Sequence, residues 1–254
     1  GTSQLLSVPY AFHSKTSETA ADAVKLTGDQ TISGNKNFTG STTVQTPVNP
    51  TDAVNKSYLD NILKLLGLVP DNFAGIIYDI EGNMYKTVKI GDQFWMQENL
   101  KTLKYSNGDI ISSGIYMQGE PNVQTYGRLY TWNVTVDNRN ICPIGWHVPS
   151  EAEWNILLTK VNSPAELKES GTNHWFAPNT GATNSVSFTA LPGGYFDGSV
   201  TTGIQAIASF WFKDEANVTM GKGFKLYYNN LPDPGDFVYS EKNTAFSVRC
   251  LKDN

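Results

Sequence analysis

Two cysteines carry the most specific chemistry in this 254-residue sequence. Cys142 and Cys250 lie far apart and the chain has no C-x-x-C pair, so their spacing is not that of a metal site. Neither cysteine has a base close to it in the sequence, as a catalytic thiol would need. Two possibilities stay open: two buried free thiols, or one disulfide, which would persist in an oxidising compartment.

Three histidines could supply a general base or a metal ligand. His147 lies close to Glu153, but Ser150 and Glu153 have the spacing of a helix capping box, which occupies that carboxylate. We therefore interpret His147 as structural. His13 and His174 have no second histidine at ligand spacing, and the acidic residues form no calcium loop. The sequence predicts no enzyme activity, no cofactor and no metal site, and it leaves calcium binding undecided.

Two short strings match ligand sites but lack the surroundings that such sites need. Gly193-Gly194 lies in turn-forming sequence without the strand–loop–helix frame of a phosphate loop. Glu120-Pro121-Asn122 matches the calcium and mannose triplet of sugar-binding C-type lectins. In those lectins the triplet lies close before the last strands and a Trp-Asn-Asp run follows it. Here the triplet precedes the first cysteine and no such run occurs, so we interpret the match as coincidence.

The aromatic residues divide the chain into two predicted domains, residues 1–71 and residues 72–254. Of the 6 Trp, 12 Tyr and 12 Phe, only four precede position 72. Burial of large apolar side chains offsets chain entropy, so the second part can build its own core and the first part cannot. The net charge of −5 argues against a nucleic-acid partner, and no apolar run is long enough for membrane insertion.

Residues 1–71 are predicted to form a slender, β-rich stalk with a short oligomerising helix. The apolar residues of its first part are too sparse for a monomeric strand layer, but they can pack against copies of themselves in a homotrimer. A disordered linker is the alternative. The helix can begin at Thr51 or Asp52 and stop at Gly67, and its apolar stripe favours bundling with symmetry mates.

Residues 72–254 are predicted to form an α+β domain with two helices in a β-rich frame. Strand and turn signals alternate over residues 75–96, which is typical of antiparallel hairpins. The capping box at Ser150 starts the first helix. A second box at Ser163, with a proline at the first helical position, predicts a shorter helix that ends at Gly171.

Residues 209–243 are the predicted ligand-binding surface. Polar and aromatic residues alternate there on short strands, between loops rich in Tyr, Asn, Ser and Asp. Antibody paratopes use the same combination of rigid rings and adaptable polar groups. An ordinary solvated sheet surface is the alternative, and Trp211 could equally belong to the core. The predicted contact residues are Trp211, Lys213, Asp214, Tyr227, Asn229, Asn230, Asp233, Asp236, Tyr239 and Glu241.

Eight strings of the second part together are typical of one known family. They are VKIG (88–91), WMQENLK (95–101), YGRLYTW (126–132), CPIGWHVPSEAEW (142–154), LKESG (167–171), PNTGATN (178–184), FTALPGGY (188–195) and FSVRC (246–250). Through these strings the second part resembles the Fibrobacter succinogenes major paralogous (FISUMP) domain, which abounds in surface and phage proteins of Bacteroidetes. The resemblance implies a C-type-lectin-like fold, a Cys142–Cys250 disulfide and a variable ligand face over residues 209–243. In some members that face is diversified by retroelements.

The first part contains the strings QLLSVPYA (4–11) and TPVNPTDAVNKSYLD (46–60). Through them it resembles tail-fibre and surface-fibre sequences, which form homotrimers. Together the two resemblances predict an extracellular receptor-binding or adhesion protein at the tip of a phage tail fibre or bacterial surface fibre. Its partners would be a host-cell receptor, either protein or glycan, and its own copies. A structural fibre component is one alternative. A formylglycine-generating-like enzyme is another, but it would need a reactive cysteine pair.

Overall fold

A computed structural model describes residues 56–116, 120–231 and 235–253. The predicted shaft, the predicted start of the first helix and Asp233 lie outside these residues. The boundary near residue 71 stays a prediction. The described residues form a β-rich fold with few helices, which is compatible with the predicted α+β class.

In the residues that the structure describes, four α-helices and one 3₁₀ turn interrupt thirteen strands. The helices are α1 (Lys56–Leu65), α2 (Glu120–Tyr126), α3 (Trp132–Thr135) and α4 (Glu151–Leu158), and the 3₁₀ turn is Pro164–Leu167. The strands are β1 (Phe73–Tyr78), β2 (Met84–Ile90), β3 (Gln93–Met96), β4 (Ile115–Tyr116), β5 (Leu129–Thr131), β6 (Trp146–His147), β7 (Gly193–Phe196), β8 (Thr201–Ile204), β9 (Ile207–Glu215), β10 (Met220–Tyr227), β11 (Gly235–Glu241), β12 (Ala245–Phe246) and β13 (Leu251–Lys252).

The strands form two sheets. The smaller sheet has the order β1-β2-β3-β13-β6, so the last described strand lies between β3 and β6, which are both distant from it in the sequence. The larger sheet has the order β11-β10-β9-β7-β12-β5-β4, with β8 paired to β7. All pairings between named strands are antiparallel except β7 with β9. Both sheets therefore combine distant segments of the chain.

The structure contains the elements that were predicted from patterns of neighbouring residues. The predicted hairpins are confirmed by the antiparallel pairing of β1 with β2 and of β2 with β3. The capping box is also confirmed: Ser150 Oγ accepts a hydrogen bond from the Glu153 backbone N–H, and the Glu153 carboxylate accepts one from the Ser150 backbone N–H at 2.8 Å. The box directs Trp154 inward, where it packs among aromatic rings of β9 and β10.

The second predicted helix is wrong in length. The capping signal at Ser163 is present, since its Oγ accepts from the Ala165 backbone N–H, but only one 3₁₀ turn follows. Lys168 already has an extended backbone and is fully buried, so the chain leaves the turn well before Gly171. Helices α2 and α3 were not predicted. The triplet beginning at Glu120 lies on α2 instead of in a loop, which separates it further from the lectin motif.

A disulfide joins Cys142 to Cys250, so the pairing that the resemblance implied is confirmed. Both residues are fully buried and pack in one cluster with Trp146 and Val148. The bond connects the segment that precedes β6 to the segment that precedes β13. It therefore fixes the closing strand in the smaller sheet.

Candidate functional site

The larger sheet has two distinct faces at strands β9, β10 and β11. Phe224 and Leu226 of β10 belong to the core cluster that also contains Trp154 of α4. Side chains alternate along a strand, so Lys225 and Tyr227 project from the opposite side, which we call the outer face. Both side chains are only half-buried, so this face is within reach of a ligand.

The floor of the outer face is a stack of aromatic rings. Trp211 and Phe246 stack with their ring centroids 4.1 Å apart, and Trp132 joins them in one cluster. Two glycines of β10 make this stacking possible, because a Cβ at Gly221 or Gly223 would collide with Trp132 or press against Phe246. The rings therefore lie directly on the strand backbone.

Lys225 is the cation of the outer face. Its Nζ lies 3.8 Å from the centroid of the Tyr195 ring and 5.0 Å from that of Phe246, which are cation–π distances. Within the described part of the chain, no carboxylate lies at ion-pair distance from this ammonium. Burial lowers the pKa of Lys225. Two aromatic rings thus hold a partly desolvated positive charge at the surface.

Tyr227 and Asp236 complete the outer face. Asp236 of β11 lies opposite Lys225 in the strand register. Burial raises the pKa of Tyr227, and electrostatic interaction with the Asp236 carboxylate and with the Tyr195 side chain adds to that increase, so the Tyr227 phenol keeps its proton at neutral pH. With Tyr195 from β7, the outer face collects two phenols, an ammonium and a carboxylate from three strands.

The nine predicted contact residues that the structure describes do not form one surface. Tyr227 and Asp236 lie on the outer face, and Asn229 and Asn230 follow β10 in the next loop. Trp211 is corrected to a core residue, because its ring is fully buried and its Nε1 donates a hydrogen bond to a backbone carbonyl of β5. It supports the outer face from below.

Other predicted contacts belong to the opposite face, towards α4. Tyr239 pairs in register with Lys222, whose Nζ lies 2.6 Å from a carboxylate oxygen of Glu151. The Asp214 carboxylate accepts a hydrogen bond from the Glu151 backbone N–H at 2.7 Å, so it caps the start of α4. The remaining described members of the set, Lys213 and Glu241, are exposed.

Sequence reasoning missed Lys225 and Tyr195 as site residues. The alternation of β10 was a usable signal for Lys225, because it places Lys225 beside Tyr227. Tyr195 gave no such signal, because it comes from a strand separated from β10 in the sheet by β9.

The comparison with protein families identifies the larger part of the chain. The model of the Fibrobacter succinogenes major domain matches residues 88–252, which is more than half of the sequence. The chain belongs to this family. No curated protein and no solved structure matches it. Members of the Fibrobacter succinogenes major domain family are surface-associated proteins.

The Fibrobacter succinogenes major domain of this chain shows no metal centre and no membrane helix in the residues that the structure describes. No three His, Cys, Asp or Glu side chains among them are placed to hold a metal ion. None of their helices is both long enough and apolar enough to cross a membrane.

His147 of the domain lies between two carboxylates. Its Nδ1 is 2.6 Å from Asp253 Oδ1 and its Nε2 is 2.9 Å from Glu153 Oε1. Both ring nitrogens of His147 therefore contact a carboxylate oxygen. The contacts tie the end of β13 to the start of α4.

A buried lysine of the domain anchors the loop that follows β10. Lys168 Nζ donates hydrogen bonds to the backbone carbonyls of Thr180 and Tyr227, at 2.8 and 2.9 Å, and to Asn230 Oδ1 at 3.1 Å. Its ammonium also lies 5.4 Å from the ring centroid of Trp175. These three hydrogen bonds, which we call the Lys168 staple, therefore fix the position of Asn230. The side-chain oxygen of Asn230 already accepts one of them.

The Lys168 staple gives the domain a pH-dependent stability. Burial lowers the pKa of Lys168 from 10.5 to about 8. Between these values the unfolded chain binds more protons than the folded chain, so the Lys168 contribution to the free energy of unfolding rises with pH. We expect wild type to gain about 1–2 kcal/mol relative to Lys168→Met between about pH 8 and pH 10.

Urea unfolding at a series of pH values measures this difference. The exposed residue Lys160 provides the control, because Lys160→Met removes a lysine without removing a buried charge. Parallel pH profiles of wild type and Lys168→Met would contradict the prediction.

Proposed function

We propose that this chain is an extracellular receptor-binding or adhesion protein, and that its Fibrobacter succinogenes major domain binds the ligand through the outer face. The observation that carries the proposal is the half-buried Lys225, held between aromatic rings without a carboxylate partner among the described residues. A half-buried charge without an ion-pair partner costs desolvation free energy, and a ligand that pairs with the charge would offset this cost. Tyr195, Tyr227 and Asp236 surround it.

The chemistry of the face supports recognition over catalysis. Tyrosine rings provide large, rigid contact areas at low entropic cost, and their hydroxyls add hydrogen bonds. The two cysteines are joined and fully buried, so neither is a free thiol in this structure. A surface-associated family is the expected setting for such a face.

The proposal extends to a C-type-lectin-like fold and a trimeric stalk on a phage tail fibre or bacterial surface fibre. The disulfide to the closing strand supports the lectin-like fold. Helix α1 supports self-association, because Leu59 and Leu65 are 48% and 82% exposed. Apolar side chains left in water on a helix favour packing against other copies. Three joined heads would bind a surface with higher avidity than one head.

Replacement of Tyr227 tests the binding face. The fluorescently labelled full chain is incubated with intact cells of a panel of Bacteroidetes, and bound fluorescence is measured against protein concentration. We expect Tyr227→Ala to weaken attachment roughly tenfold, as loss of a central aromatic contact does. Circular dichroism checks that the variant keeps the wild-type fold.

Tyr239→Ala is the matched control. Tyr239 is another tyrosine of this sheet, and it is exposed, but it lies on the face towards α4. Loss of attachment in Tyr239→Ala, with unchanged attachment in Tyr227→Ala, would assign the ligand to the other face. If neither replacement changes attachment, or if wild type attaches to no cell, the proposed function is wrong.

A further inference from the structure

Three polar groups of the outer face have no partner among the residues that the structure describes. Lys225 Nζ makes no hydrogen bond or ion pair with them, and the hydroxyls of Tyr195 and Tyr227 are likewise without one. Buried polar groups normally have hydrogen-bond partners from the protein or from water, and half-buried groups such as these three are open to solvent or to a ligand. Three open donors on one small face are therefore a feature that a ligand would complete.

The open groups share one chemical preference. An ammonium offers three N–H donors and no acceptor, and a protonated phenol offers one O–H donor. The pKa of Tyr227 is raised, so this phenol stays a donor over the physiological range. Aromatic rings stabilise the charge of Lys225 but leave its donors unused. The group that fits such a cluster is an anion with several acceptor oxygens.

The strand arrangement favours a sugar over a peptide as the carrier of this anion. Strand β10 is paired with β9 on one side and with β11 on the other, so an extended peptide finds no free strand edge at Lys225. The rings of Tyr195 and Tyr227 offer apolar surface for the C–H face of a pyranose. Asp236, on the same face, can accept hydrogen bonds from sugar hydroxyls.

We propose that the outer face binds an acidic glycan, whose carboxylate or sulfate group contacts Lys225, Tyr195 and Tyr227. This inference rests on the proposed receptor-binding function and names the ligand class. The chain as a whole has a net charge of −5, so general attraction of polyanions does not explain such binding. Selectivity for acidic sugars must come from the local cluster.

Direct titration with defined sugars tests the inference. The probes are methyl glucuronide, the methyl glycoside of N-acetylneuraminic acid and methyl glucoside 6-sulfate, with methyl glucoside as the neutral counterpart. NMR follows the side-chain signal of Lys225, which is assigned by its loss in Lys225→Gln. We expect at least one acidic sugar to shift this signal and to bind roughly tenfold more tightly than methyl glucoside.

Lys222→Gln is the matched control variant. Lys222 lies on the same strand but on the opposite face, where its Nζ already contacts Glu151. We expect Lys225→Gln to remove the preference for the acidic sugars and Lys222→Gln to retain it. Equal loss in both variants would show a general charge effect and would overturn the inference.

The other outcomes also decide the question. Equal binding of methyl glucoside, or no shift of the Lys225 signal with any acidic sugar, overturns the acidic-glycan inference. Acetate and sulfate are titrated as sugar-free anions, and if they bind as tightly as the acidic sugars, the glycan part is wrong. Cell attachment that depends on Tyr227 would leave the proposed function standing in each of these cases.

Discussion

Arg249→Met is expected to lower the free energy of unfolding by about 3–5 kcal/mol, among the largest effects of any single substitution in this chain. Arg249 is fully buried. Its guanidinium donates hydrogen bonds to Asn99 Oδ1 and to the backbone carbonyls of Phe188 and Thr189. Methionine fills a similar volume but leaves these buried acceptors without donors, so their full desolvation cost remains.

The backbone segment that accepts hydrogen bonds from Arg249 explains the large expected change in the free energy of unfolding. Ser187 and Thr189 have positive φ angles of 59° and 54°, which non-glycine residues rarely adopt. Arg249 and Gln97 hold this segment, since Gln97 Nε2 donates to the Ser187 carbonyl at 3.0 Å. Loss of the guanidinium should therefore release the segment as well as one side chain.

Urea unfolding of wild type and Arg249→Met measures the effect. Arg139→Met is the control, because Arg139 forms its ion pairs with Asp137 and Asp109 at the surface, where solvent screens them. Arg249→Lys keeps the charge without the planar fork and should have an intermediate stability. An Arg249→Met variant within about 1 kcal/mol of wild type would refute this account.

Loss of the disulfide is the second large effect that we expect. The bond closes a loop of 108 residues, and cross-links of that span stabilise the folded state by about 4–5 kcal/mol through the entropy of the unfolded chain. The double variant Cys142→Ala/Cys250→Ala should unfold at a correspondingly lower denaturant concentration. Its m-value should increase, because the unfolded chain is less compact without the cross-link.

Reduction of wild type separates the bond from the side-chain changes. Both sulfurs are fully buried, so a reductant should act mainly on unfolded molecules and shift the unfolding midpoint towards that of the double variant. The shift must be absent in the double variant itself. Coincident unfolding curves for wild type with and without reductant would show that the bond contributes little.

The two predictions concern the same part of the molecule. Arg249 and Cys250 are neighbours, and strand β13 follows them at once. This short closing segment reaches the smaller sheet, the segment before β7 and the segment before β6. The outer face lies on the larger sheet. A loss of ligand binding in Tyr227→Ala can therefore be separated from a loss of folding.

The sequence alone determined the features that neighbouring residues control. The capping box at Ser150 and the hairpins of residues 73–96 depend on contacts within a few positions, so their residue types were sufficient to predict them. Membership of the family was also carried by local strings. The length of the turn after Ser163 could not be predicted in this way, because the burial of Lys168 against distant carbonyls ends the turn.

Only the tertiary structure decided which residues meet on the outer face. Strand register places Tyr227 and Tyr239 on opposite sides, and stacking on Phe246 makes Trp211 part of the core. Tyr195 reaches Lys225 because β7 and β10 flank β9 in the sheet. A shift of register by one residue would exchange the two faces. Alternation within one strand gives the two possible faces, and only packing against α4 selects the one that is exposed.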